Sequence, residues 1–574
     1  MTRRIAIALF VLMCAGATSA GAATLRVCPH GCTYSQVADA VSAAHDGDSV
    51  NVGDGNYRGG FAITKSLTVS GVGWGATTIT GGGPVITVGT LDGSSEPTVT
   101  IRDVTITGGV THSAFDTTFE ALGGGVFVPP AKDGAAPTTL TIIGSAITGN
   151  LAAPTSEIDS GLPCGSIGDC PFAHAGGGGI DSWGHLTIRN TTVAGNQASG
   201  PFTSDADGAG IYSQDGTITV DHTVVSGNRA LVGIPGGRFA EGAGIMVDNF
   251  FSPLGTCVSP HPSCRFVLRD SLVKDNTSRL TTRLPLFSSD GNFVLLANGG
   301  GVHVGDNIPT MVAGSMIDDN SAISNDPLGE AGSIDAGMIV GASPLTMRKS
   351  KVNGNLTATT ALTVADVAPV GTALEVDGSG TIADTSIDGN VATTVSPGGV
   401  ATTTGGLGVF DTDLLGVKNS TISENLTLAH SDTGSASVLG GAVFNNTQLR
   451  LDRVVVSRNT ARATGPAGTA QGGGVWNGDL ITGPPVLKLE NSSVLGNRLD
   501  ASRGIPRRGG GLFTTFPIVQ HNTLIAGNRP DQCVGCALVS AMVHGQLAGQ
   551  AARAGGRAAS RRSIVQARPA GFVR

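Results

Sequence analysis

A short segment ending in asparagine recurs eleven times along this chain. It reads SAITGN to Asn150, TTVAGN to Asn196, TVVSGN to Asn228, SLVKDN to Asn276, SMIDDN to Asn320, SKVNGN to Asn355, TSIDGN to Asn390, STISEN to Asn425, VVVSRN to Asn459, SSVLGN to Asn497 and NTLIAGN to Asn528. The mean spacing is about 38 residues, a solenoid period rather than a domain length. Each repeat holds three short apolar pieces: a glycine run opening an alternating strand (GGGVFV, GAGIYS, GGGVWN), a second alternating strand (LTIRN, LRLDR), and the strand ending in Asn. Period-two alternation turns every second side chain inward. These features predict an all-β fold, a single right-handed parallel β-helix of three strands per coil and about 13–14 coils. Loops would be inserted along one side. The Asn column reads as a stacked amide ladder, with Asn also supplying the left-handed backbone of a tight corner.

The composition agrees. Glycine is 87 of 574 residues, aromatics are 4% and charges 14%, yet hydrophobic residues reach 40%, too many for a disordered chain. Residues 1–23 read as a secretory signal peptide, with Arg3 and Arg4, an apolar core and a small-residue cleavage site. Residues 24–60 read as an N-terminal cap, in which Ser35 would cap a helix over 35–44. Val37, Ala40, Val41 and Ala44 would share one face of it. The repeats span 61–528, and 529–574 holds a Cys pair and an Ala/Arg/Gly-rich tail that reads as disordered. No later apolar run is long enough to span a membrane.

Setting aside Cys14 of the signal, eight cysteines remain in four close pairs: Cys28/Cys32, Cys164/Cys170, Cys257/Cys264 and Cys533/Cys536. In a secreted chain these read as local disulfides. Only Cys533/Cys536 has zinc-ligand spacing, and it stands alone. The formal charge is −8. Without the leader's two arginines and the tail's six, the body carries −16, which disfavours nucleic acid as a partner.

The passage AVSAAHDGDSVNVGDGNYRGGFAITKSLTVSGVG resembles the entry to pectin-lyase-like right-handed β-helices. The GGGI and xxGN pieces are similar to the polymorphic outer-membrane protein repeat, which pairs GGAI with FxxN. Here aliphatic Val193, Val225 and Ile422 stand in place of the Phe. The resemblance implies the fold, not one activity, because lyases, hydrolases, esterases and adhesins share it. The enzyme signatures are incomplete. Arg503-Gly504-Ile505-Pro506 misplaces the lyase proline, Val220-Asp221-His222 lacks the lyase Trp, and Asp318-Asp319 sits at the ordinary position before Asn.

No catalytic residue or metal ligand is identified from sequence, and no cofactor is expected; Ca²⁺ would enter only in a lyase. Substrate-binding candidates follow from two arguments. In the glycine strand the residue after the inward aliphatic must face outward: Phe127, Asp181, Tyr212, Met246, His303, Phe444, Trp476 and Phe513. Tyr212 and Trp476 would either stack on sugar rings or lie beneath inserted loops; Trp183 is grouped with them. Acids one coil apart can also approach, as Asp181 with Asp215, or Asp205 and Asp207 with Glu241. The leading expectation is a secreted or surface-associated monomer that recognises a carbohydrate or cell-surface component. The alternative is a polysaccharide lyase or glycoside hydrolase.

Overall fold

The computed structural model describes residues 21–113, 119–132, 135–156, 173–233, 238–248, 264–281, 296–327, 331–362, 364–365, 372–410, 414–479 and 484–536. Residues 1–20 of the expected signal peptide, the tail beyond 536, and Cys164, Cys170 and Cys257 lie outside them. Three parallel sheets run the length of the molecule. Sheet 1 has 15 strands, from Thr24–Val27 to Ile518–His521. Sheet 2 has 14, from Gly55–Arg58 to Leu524–Ala526. Sheet 3 also has 14, from Phe61–Ile63 to Cys533–Val534. From Ser49–Val52 onward each coil passes through them in the order 1, 2, 3, giving the right-handed parallel β-helix; the first turn runs from Thr24–Val27 through the helix Val37–Ala43 instead. The first coil begins within the segment expected as a cap, at Thr24.

Register stacks like on like. Ile101, Ile142, Ile188, Val220 and Leu268 form one inward column of sheet 1, and Val126, Ile180, Ile211, Ile245 and Val302 one of sheet 3. All are fully buried. Each contributes roughly 1.5–3 kcal/mol of transfer free energy. The helix Val37–Ala43 closes the first coil, burying Val37, Ala40 and Val41. Its cap differs from expectation: Gln36, not Ser35, is the N-cap, and no side chain bonds there. The end is held by packing rather than by a capping hydroxyl.

Three further parallel sheets arise where loops were expected. Sheet 4 has 11 strands following the Asn corner, from Val110–Thr111 to Arg498–Ala501. Sheet 5 has six, from Glu120–Leu122 to Gly332–Ile334, and sheet 6 has five, from Val364–Ala365 to Arg507–Arg508. Alanines pack between sheets 4 and 5, among them Ala152, Ala175, Ala198, Ala206 and Ala230. Small side chains let the two layers approach closely. Sheet 5 lies before the glycine turn and sheet 3 after it, so one face of sheet 5 looks onto the outer face of sheet 3.

The Asn ladder is present and complete. From Asn150 to Asn497 each Nδ2 donates to the Oδ1 of the next Asn at 2.9–3.1 Å. The next Oδ1 also accepts from the backbone N–H, and the amide's second proton goes to a carbonyl of the previous coil, as Asn320 Nδ2 does to Val273. Asn528 ends the column on Gln532 Oε1. The left-handed residue is not the Asn, however, but the one before it: Gly195 at φ 64°, Asp275 at 55°, Arg458 at 57°. None of the eleven Asn has positive φ. The corner turns one residue earlier, which aims the amide along the stack.

Two of the expected disulfides, Cys28–Cys32 and Cys533–Cys536, are formed, and Cys264 is disulfide-bonded. No helix among the described residues is long and apolar enough to cross a membrane.

Candidate functional site

The outward column of sheet 3 does not stand free. Tyr212 and Phe444 are fully buried, and Phe127, Trp476 and Phe513 nearly so. Sheet 5 covers its middle and sheet 6 its C-terminal part. Tyr212 and Trp476 are therefore not open sugar platforms; the reason is the extra strands, which turn an outer face into an interface. Under sheet 6, Phe444 stacks on Trp476 with centroids 4.6 Å apart and planes 6° off parallel, and Trp476 Nε1 donates to Gln471 Oε1 at 3.0 Å. Trp476→Ala should cost roughly 3–5 kcal/mol in denaturant unfolding, as expected for a buried large aromatic, with no specific effect on glycan retention.

Under sheet 5 the interface is polar. Alternation places Glu120, His174 and Asp205 in one column of sheet 5, and Leu122, Gly176, Asp207, Glu241 and Asn298 in the next. Both columns share one face. Sheet 3 contributes Asp181 and Tyr212, directly paired, then Met246 and His303. Gly176 makes room for them: a Cβ there would lie 2.8 Å from Tyr212 Cδ1 and 3.1 Å from Asp181 Oδ2.

The contacts are specific. His174 Nε2 lies 3.1 Å from Asp207 Oδ2, and its ring meets Tyr212 edge-on at 5.7 Å. Arg238 Nη2 donates to Asp205 Oδ2. Asn298 Nδ2 donates to Glu241 Oε1 at 2.7 Å, and His303 Nδ1 lies 3.7 Å from Glu241 Oε2. Asp207 and Glu241 are direct cross-strand partners, whereas Asp181 pairs with Tyr212 rather than approaching Asp215. Trp183 packs, partly buried, on Leu122 and Phe127 at the N-terminal edge.

Charge balance is poor. Burial pushes the carboxyls of Asp181, Asp207 and Glu241 well above the usual range, and neighbouring acids add to it: Glu120 for Asp181, Asp205 for Asp207, Asp207 for Glu241. Asp205 is also raised by burial, but the Arg238 guanidinium opposes the shift. Burial lowers His174 and takes His303 down to about 4, so both imidazoles are neutral. Tyr212 is held firmly protonated, by burial and then by Asp207. Among the described residues, both Asp181 oxygens, Oδ1 of Asp205 and of Asp207, and the Tyr212 hydroxyl have no well-formed hydrogen bond; Trp183 gives Asp181 partial relief.

A second acidic group lies beyond the end of sheet 5. Asp335 takes a left-handed corner, φ 43°, where the equivalent residues of other coils are Gly177, Gly208, Gly242 and Gly299. It accepts from Thr372 Oγ1, and its partner one coil on is Glu375, itself within reach of Asp377. Burial pushes Asp335 up to about 6 and Glu375 well above the usual range. Carboxyls in such contact share a proton.

These shifts fix a pH dependence. The raised carboxyls stabilise the fold fully below about 4, their unfolded range, and that contribution is lost as pH rises through their folded values, by about 6 for Asp335. His174 and His303 act oppositely, losing their contribution as pH falls below about 6.5. The carboxyls outnumber them, so Tm should rise by several degrees from pH 8 to pH 5.5. A flat or falling profile in calorimetry would contradict the protonation assigned to the cluster.

Among the described residues, one set of His, Asp and Glu brings its ligand atoms within 4.8 Å of one another: Asp221, His222 and Asp270. It sits at the exposed corner between sheets 1 and 2, with Arg189 Nε 3.8 Å from Asp221 Oδ2. The groove carboxylates are not arranged as such a set.

No known family and no curated protein matches the sequence. Among solved structures, the chain is similar to the A-module of a mannuronan C-5 epimerase from Azotobacter vinelandii, at 11% identity, covering 85% of this chain and 92% of that one, with a TM-score of 0.27. It is also similar to the pectin methylesterase of Erwinia chrysanthemi (11% identity, 63% and 78% covered, TM-score 0.21) and to the family 28 exopolygalacturonase of Yersinia enterocolitica (10% identity, 90% and 78% covered, TM-score 0.21). At such scores the likeness says nothing of activity. The chain itself has a parallel β-helix architecture.

Proposed function

We propose that this chain is a secreted glycan-active enzyme that cleaves glycosidic bonds by carboxylate acid–base chemistry in the corner between sheets 5 and 3. One observation carries the reading. Asp181, Asp205, Asp207 and Glu241 converge in a buried site with a single guanidinium, and several of their oxygens lack partners. Folding alone gains nothing from such an arrangement, which costs free energy at every unpaired group. Perturbed, mutually opposed carboxyls held together in one buried interface are what proton transfer needs. Asp207, neutral and touching His174, is the general acid. Glu241 is the direct register partner of Asp207 on the neighbouring strand, so the two carboxyls can act as the pair that glycoside hydrolysis uses. Asp205, opposed by Arg238, is the member most readily ionised and supports positive charge developing on the sugar.

Hydrolysis is favoured over elimination, since two carboxyls on neighbouring strands, both pushed up by burial, are the pair that hydrolysis uses. The surface-recognition reading loses its sugar platform, because Tyr212 and Trp476 are covered. The test is a polysaccharide panel assayed in parallel for new reducing ends and for unsaturated products. Reducing ends without unsaturation, lost in Asp207→Asn, are expected. Unsaturated products, or turnover unchanged in Asp207→Asn, would overturn the assignment.

A further inference from the structure

The corner between sheets 5 and 3 opens at its N-terminal end. Sheet 5 begins at Glu120–Leu122, so among the described residues no strand lies above Ala62 and Thr87, the outward residues of the two preceding sheet 3 strands. The space left is a cavity of about 600 Å³, walled by Ala62, Thr64, Thr87, Leu91, Asp92 and Phe127 among others. That volume lies in the range of small-ligand sites, about 300–1,000 Å³. Leu122 and Phe127 belong to its lining, and Asp181 is the direct register partner of Phe127 on the next coil. The cavity is thus collinear with the acidic cluster, one coil away.

Its chemistry is one-sided. The walls hold threonine and serine hydroxyls, the apolar faces of Pro84, Leu122 and Phe127, and Leu91, which is 52% exposed. Among the described residues of the lining there is no Lys, Arg or His. The one charged group is Asp92. Ser94 donates to its Oδ1 twice, from the hydroxyl at 2.7 Å and from the backbone at 3.1 Å, and these bonds hold the carboxylate in place. The next groups along the groove are Asp181 and the acids of sheet 5. A polyuronate entering here would meet the charge of Asp92, and none of the described lining residues is a cation that could receive its carboxylates. A sugar without acidic groups would meet hydroxyl partners, an apolar wall and one carboxylate suited to a pair of hydroxyls or to an ammonium group.

We infer that this cavity is a binding subsite for a glycan lacking acidic groups, and that the chain's substrate is accordingly a neutral or amino-sugar polymer rather than a polyuronate. The inference rests on the proposed site for its position, but the cavity's binding is separable from turnover. The probes are soluble cello-, chito- and glucosamine oligosaccharides against oligogalacturonate and oligomannuronate, titrated calorimetrically into the full secreted chain. At least one uncharged or amino oligosaccharide should bind tenfold or more tighter than either uronate. Thr87→Trp, which fills the cavity from an outward position, should weaken that binding at least tenfold. Leu91→Ala, at an exposed site that leaves folding intact, should weaken it several-fold. Uronates binding as well or better, or binding indifferent to both variants, would overturn the inference. Cleavage of a polyuronate would overturn it while leaving the acid–base reading standing. Oligosaccharide binding lost in Thr87→Trp, without turnover of any polymer, would support the cavity and remove the enzymatic reading.

Discussion

Asn320→Ala is expected to destabilise the protein by about 3–6 kcal/mol, far more than the loss of one surface amide. The substitution removes four hydrogen bonds. Asn276 loses the acceptor for both its backbone N–H and its Nδ2, and Asn320 no longer donates to Val273 O or to Asn355 Oδ1. The groups left behind are buried, and each unsatisfied one costs about 1–3 kcal/mol. The ladder is also coupled to the glycine strands. A Cβ on Gly301 would lie 2.8 Å from Asn320 Nδ2 and 2.5 Å from the Gly337 carbonyl, so Gly301→Ala should damage the same coil from the other side. Because each coil touches only its neighbours, unfolding should become less cooperative, with the two halves melting apart. Urea unfolding followed by far-ultraviolet dichroism reads both effects. A change below 1 kcal/mol would mean the ladder is incidental to the fold.

The second large effect is a separation of stability from activity. A buried carboxyl whose pKa is raised in the fold weakens the fold at pH 7 relative to a free one, because the unfolded chain ionises it more readily. Asp181→Asn and Asp207→Asn remove that penalty with little change of shape. Both should raise stability at pH 7, and the gain should vanish near pH 4, where the unfolded carboxyl is also protonated. Asp207→Asn should lower glycan turnover by about 10²–10⁴, the usual weight of a positioned general acid. A structural carboxylate behaves oppositely: its loss destabilises at pH 7. Thermal melts of the two variants at pH 7 and pH 4 distinguish the cases without knowledge of the substrate.

The architecture was legible because its signal repeats. Outward placement of Phe127, Tyr212 and Trp476 follows from alternation alone, and the amide ladder from the recurrent Asn. The corner was misplaced by one residue because Gly and Asn both tolerate positive φ, and a Gly-Asn pair does not reveal which one turns. Sheets 4 and 5 were missed for a different reason. Strands such as Gln197–Ala198 and Asp205–Asp207 are two or three residues long and set by the register of their neighbours, not by their own propensity. Spacing brought Asp205 and Asp207 towards Glu241, but without sheet 5 it gave no sign of their burial. His174 and Arg238 were invisible because the coils bring them in from 33 residues away on either side, across segments of unequal length. Asp335 did carry a signal: an acid where other coils place a left-handed glycine.

The central claim is that carboxyls in the groove are protonated in the folded protein at neutral pH. Infrared spectroscopy reads this directly, since a protonated carboxyl has a carbonyl stretch distinct from that of a carboxylate. At pH 7 the folded protein should show this band, weakened in Asp181→Asn and again in Asp207→Asn, and abolished on unfolding at the same pH. Absence of the band, or a band unaffected by both substitutions, would contradict the acid–base site.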